Sequence, residues 1–129
     1  MELIFIYALG AELYGIIEIL WRGRTHWTML LCGGACFTVM YLISAAAIPF
    51  WSKCVLSALA ITAIEFCVGC LVNITLGWSI WDYSGMAMNI KGQICPLFTF
   101  FWLLLSIPGL ALCSFMRRLF QSSFLPWNA

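Results

Sequence analysis

Residues 54–76 run CVLSALAITAIEFCVGCLVNITL, with a single charged side chain, Glu65, in the whole stretch. As an α-helix rising about 1.5 Å per residue, such a segment covers the roughly 30 Å hydrocarbon core of a bilayer. Three further apolar stretches, residues 3–20, 29–48 and 94–116, each come near the ~20 residues a crossing needs. Polar and turn-forming residues collect between them: Arg22-Gly23-Arg24-Thr25-His26, then residues 49–53, then residues 77–93. Trp21, Trp27, Trp51, Trp78, Trp81 and Tyr83 sit at the boundaries, as an interfacial aromatic belt requires.

Composition agrees. The chain of 129 residues is 64% hydrophobic and 9% charged, with mean hydropathy +1.03. Soluble domains carry about 25% charged residues, so this chain could not cover a water-facing surface. The expected fold is an all-α membrane protein, a bundle of about four transmembrane helices forming one domain over residues 1–129. Its first partner is the lipid bilayer; no nucleic-acid partner is expected. Glu2 replaces the basic start of a signal peptide, and Glu12 and Glu18 interrupt its apolar region, so the first helix is expected to remain in the mature protein.

With four spans, both termini share a side with the second loop, giving Lys53, Arg117 and Arg118 against Arg22, Arg24 and Lys91. Three against three gives the positive-inside rule no preference. Either both termini are cytoplasmic, with Arg22 and Arg24 held in local contacts, or copies insert both ways and pair antiparallel.

Acids inside spans are costly, about 2.5–3.5 kcal/mol for a central one, and usually face the bundle interior or a water-filled path. Glu18 can pair with Arg22 one turn on. Glu65 has no basic neighbour in sequence, and its helical face continues through Gly69 and Asn73, a stripe suited to close approach or to lining a cavity. Burial disfavours a charged carboxyl unless a cation holds it, so Glu65 is the leading candidate for proton or cation handling. Glu12, beside Ala11 and Gly15, is expected to face another helix.

The seven cysteines are not a secreted disulfide framework. Cys67 and Cys70 form a C-x-x-C that allows a thiol–disulfide or soft-metal site, although both lie deep in a span; otherwise cysteine is a small apolar residue that packs well between helices. Pro108-Gly109 is expected to kink or locally unwind the fourth helix. A weak repeat also shows: Ile17-Glu18 precedes Gly33-Gly34-Ala35-Cys36, as Ile64-Glu65 precedes Gly92-Gln93-Ile94-Cys95. Two repeated helical hairpins would then share one orientation. Between the third and fourth spans, the tryptophans and Tyr83 would anchor a long loop at headgroup level, with Asp82, Asn89 and Gln93 facing inward to a polar vestibule.

The segment from Glu65 to about Trp102 resembles the CmpB-like ABC transporter permeases. It does so in Glu65-Phe66 with Gly69 and Asn73, in the run from Leu76 ending Trp81-Asp82-Tyr83-Ser84, and in Asn89 with Gly92-Gln93-Ile94-Cys95. Arg22-Gly23 after Glu18 is similar to the family's first loop. The resemblance implies a multi-span protein of the bacterial inner membrane, and it implies a membrane context more directly than an activity. This chain is shorter than many members and departs from them at residues 24–29.

No G-x-x-x-x-G-K-[ST] occurs, so ATP coupling would need a separate ATPase chain. His26 alone cannot supply a His-rich metal site, no cofactor is named by any motif, and neither G-x-S-x-G nor H-E-x-x-H supports a hydrolase. Two classes of function are open. One is a transport or channel component using Glu65 and Glu18, with Asn73, Asp82, Gln93, Asn89 and Arg22 as pathway or binding candidates. Four short helices enclose little space, so it would work as a homo-oligomer or with other membrane subunits. The other is a non-transporting protein, either a thiol redox enzyme using Cys67 and Cys70 or an accessory subunit.

Overall fold

The computed structural model describes residues 1–123. Four helices are long and apolar enough to cross a membrane: α1 (Glu2–Arg22), α2 (Trp27–Ser44), α3 (Phe50–Gly69), whose span continues as a π-helical segment (Cys70–Thr75), and α4 (Pro96–Ser123). The described residues contain no strand, only an isolated bridge between Ile90 and Ile94.

Local chemistry sets the ends. α1 stops at Gly23, which takes a left-handed conformation (φ 72°) and returns its N–H to the Ile19 carbonyl at 2.8 Å. α2 starts at His26, whose Nδ1 accepts from the Thr28 N–H. Pro49 precedes α3 and Pro96 opens α4, positions where a missing N–H costs nothing. α2 ends at Ser44 rather than near residue 48, because the chain must turn before Pro49.

α1 packs along α2 and α3 along α4, while α2 also touches α3 and α4 and is the most buried helix. Apolar surface gains little by leaving lipid for protein, so close packing must hold the helices together. Small side chains make it possible: Cys32, Gly33, Gly34 and Cys36 on α2, Cys54, Ser57 and Ala58 on α3, and Cys113 on α4 are all buried. At one end Tyr41 bonds Glu2, and the Arg117 guanidinium lies 4.3 Å over the Tyr41 ring while donating to the Tyr41 carbonyl at 2.6 Å. At the other end the two Trp-bearing loops meet, His26 and Trp27 each packing on Trp78 with ring centroids 6.0 Å apart.

Two expectations are corrected and a third in part. Of the kink or local unwinding expected at Pro108-Gly109, the unwinding is absent: α4 stays helical from Pro96 to Ser123. Gly33–Cys36 lies inside α2, whereas Gly92–Cys95 lies in the loop before α4, so the two short motifs do not open equivalent helices. Glu12 is exposed on the outer side of α1, while it is Gly15 that approaches Leu30 of α2; among the described residues Glu12 faces no helix.

Candidate functional site

Tyr14 organises the loop end of the bundle. A β-carbon on Gly33 would overlap its ring, so the glycine is what lets Tyr14 lie flat on α2. On the opposite side its ring stacks on Trp102 of α4 (centroids 5.9 Å, planes 25° apart), and its hydroxyl donates to Glu18 Oε1 at 3.0 Å. Glu18 is 7% exposed and takes a second bond from Arg22 Nε to Oε2 at 2.7 Å, the one ion pair among the described residues. Arg22 also reaches the loop, donating from Nη1 to the Ile80 carbonyl at 3.4 Å.

Glu65 enters this cluster from α3. It is 4% exposed and forms no ion pair with a described residue. Glu18 and Tyr14 of α1, Cys36 of α2 and Tyr83 of the loop lie within electrostatic reach of it. The Trp102 indole N–H is buried near Glu65 and has no hydrogen-bond partner among the described residues; a buried donor left unmade costs about 1–3 kcal/mol. Burial pushes the Tyr83 phenol well above its ordinary range, with the Glu65 charge adding to the effect.

A cavity of about 400 Å³ opens between α1 and α4 beneath the loop, within the usual size range of ligand sites. Glu18, Arg22 and Tyr14 give it one polar wall; Trp21, Trp81, Tyr83, Phe98, Phe101 and Trp102 make it strongly aromatic.

The π-helical segment sets the roof. Its wider turns show in the i→i+5 bond from Leu76 N–H to the Leu71 carbonyl, 2.9 Å. Such segments recur at functional sites because they re-aim side chains. Here Asn73 is aimed into the loop: its Oδ1 accepts from the Ile80 N–H at 2.7 Å and its Nδ2 donates to Gln93 Oε1 at 2.8 Å. Gln93 is buried, and its carbonyl accepts from Trp81 Nε1 at 2.9 Å. Gly69 makes room for this knot, since a β-carbon there would come within 2.5 Å of Gln93 Oε1 and 2.9 Å of the Trp81 ring.

The sequence-derived candidates therefore separate. Glu65, Glu18 and Arg22 come together, and Asn73 and Gln93 pair one layer above them. Gln93 alone of the three vestibule residues is buried. Asp82 turns outward instead, accepting from the Ser84 N–H at 2.8 Å, which holds its carboxyl below the usual range. Asn89 serves the loop's own backbone, bonding the Ser84 and Met86 carbonyls and the Gly92 N–H. All seven cysteines are free thiols; Cys67 is exposed on the outside of α3 and Cys70 is half-buried. The described residues include no group of three or more His, Cys, Asp and Glu placed to hold a metal ion. Sequence reasoning passed over Tyr14 and Trp102, since an aromatic residue within an apolar span gives no sign of what it will stack on. The i, i+4 spacing of Tyr14 and Glu18 was the one available signal.

A bundle of four apolar helices with buried acids, belted by tryptophan, defines a small polytopic membrane protein. The family described as "Putative ABC-transporter type IV" matches residues 4–127, nearly the whole chain, and the chain belongs to that family. No curated protein and no solved structure gives a match.

Proposed function

We propose that this protein is a transport or channel component in which Glu65 and Glu18 handle a proton or small cation. The observation that carries the reading is the charge count of the cluster. Two buried carboxyls, one from each hairpin, share a site with a single guanidinium, and Arg22 is committed to Glu18. The Glu18–Arg22 unit is neutral as a pair, so Glu65 is left as the group free to take a proton or a cation. Tyr14 bonds Glu18 and lies within electrostatic reach of Glu65, which sets the two carboxyls around one phenol. The aromatic cavity is the route from the membrane interface to Glu18.

The four helices enclose too little space for a channel of their own, so the working unit includes further copies or other membrane subunits. An ATPase partner is required if the family's transporter description applies to this chain. The setting that fits is a bacterial inner membrane. The test is flux of protons, monovalent ions and small metabolites across vesicles holding the full chain, at several pH values. A pH-dependent flux supports the reading. Absence of every flux, from these vesicles and from native membranes, favours an accessory role. Trapping of a reversible Cys67–Cys70 disulfide in native membranes would favour thiol chemistry.

A further inference from the structure

α1 runs from Glu2 to Arg22, which puts Glu12 at its midpoint, ten residues and about 15 Å from either end. That is the depth of the bilayer centre, and Glu12 is exposed there. It belongs to a face formed with Ile4, Ala8, Ile16 and Ile19, all exposed and all turned away from α2 and from the aromatic cavity. It makes no ion pair within the described residues. Facing acyl chains, a carboxyl at this depth costs about 2.5–3.5 kcal/mol on insertion scales. Glu2, Glu18 and Glu65 each avoid that cost, through Tyr41, through Arg22 and through burial. Glu12 alone among these acids has nothing among the described residues to cover it.

We infer that the outer face of α1 is a subunit interface and that its occupant is a second copy of this chain, with Glu12 of each copy meeting Glu12 of the other. Three features select a copy. The six Lys and Arg residues, at positions 22, 24, 53, 91, 117 and 118, all lie outside the middle of the spans, so no register of two copies brings a cation to Glu12. What a copy does bring to that depth is another carboxyl, and a protonated carboxyl donating its O–H to its mate satisfies both without a cation. A midpoint position is self-complementary under a two-fold axis whether the copies run parallel or antiparallel, which suits an isologous dimer. Ala8, one turn from Glu12, then lets the two backbones approach closely.

The experiment uses the purified full chain in lipid vesicles at a series of protein-to-lipid ratios, with self-association read by energy transfer between terminally tagged copies. Beside it, a photo-cross-linking residue is placed at Ala8, and at Phe115 on the outer side of α4 as a control, in native membranes. Glu12→Leu makes the face fully compatible with lipid, so it leaves insertion and folding intact. The wild type is expected to associate and Glu12→Leu to weaken association at least about tenfold, or ~1.4 kcal/mol. The Ala8 probe should give a covalent dimer and the Phe115 probe lipid adducts. A wild type that stays monomeric at every ratio overturns the inference, as does a Glu12→Leu variant that associates equally well. Cross-links from Ala8 to a different protein assign the face to another partner and overturn the second copy; adducts to lipid alone show the face to be bare.

Discussion

The hydroxyl of Tyr14 donates to Oε1 of Glu18 at 3.0 Å, one helical turn away, while the Tyr14 ring is clamped between Gly33 and Trp102. The bond joins a rigid element to a titratable one: the ring is fixed by three helices, so the position of the Glu18 carboxyl is fixed too. Tyr14→Phe keeps the ring and deletes the donor. Expected is a folded protein less stable by about 1.5–3 kcal/mol, the range for a hydrogen bond to a charged group. Thermal unfolding in detergent, with matched helical content, measures it.

Arg22→Gln leaves a buried carboxylate without its cation. Breaking a fully buried pair costs about 3–5 kcal/mol; with 27% of the Arg22 side chain exposed, about 1–3 kcal/mol is expected here. Adding Glu18→Gln should recover most of the loss, because the orphaned charge is gone. An Arg22→Gln variant as stable as the wild type would show that the ion pair contributes nothing.

Gly69→Ala tests the roof. The added methyl collides with Gln93 and Trp81, and overpacking of this kind costs about 1–3 kcal/mol. The indole of Trp81, buried and bonded to the Gln93 carbonyl, should shift its fluorescence to the red and become accessible to an aqueous quencher. An unchanged spectrum would mean that the loop is not seated on α3 through Gly69.

The four spans and their aromatic boundaries were legible because bilayer thickness and interfacial chemistry act on local runs of sequence. Glu18–Arg22 was legible for the same reason, a one-turn spacing on one helix. The partners of Glu65 were not, since Tyr14, Tyr83 and Trp102 come from other elements and meet it only when the hairpins close. Asp82 misled because an acid in a polar loop reads as a lining group, whereas its Ser84 N–H bond turns it to the local backbone. The π-helical turn had no sequence mark: Cys70–Thr75 carries the polar Asn73 and Thr75 in an otherwise apolar run, and neither residue signals the wider turn that aims Asn73 at Gln93 and Ile80.

Asp82 gives a pH dependence of known sign. Its folded carboxyl titrates below the ordinary aspartate range because the Ser84 N–H favours the charged form. The stabilisation is therefore fully present above about pH 4, the unfolded value, and is lost as pH falls through the folded one. Asp82→Asn should flatten that acid limb, followed by the proteolytic sensitivity of the loop, with its loss of protection largest at neutral pH and vanishing in acid.

The central claim is that Glu65 titrates in the course of function, and Glu65→Gln against wild type in the vesicle flux assay tests it most directly. Glutamine keeps the shape and the hydrogen-bonding capacity beside Trp102 but cannot exchange a proton. The account predicts a variant with unchanged helical content and assembly whose pH-dependent flux is abolished. A folded, assembled Glu65→Gln protein with the full pH-dependent flux of the wild type would contradict it and make Glu65 a structural residue.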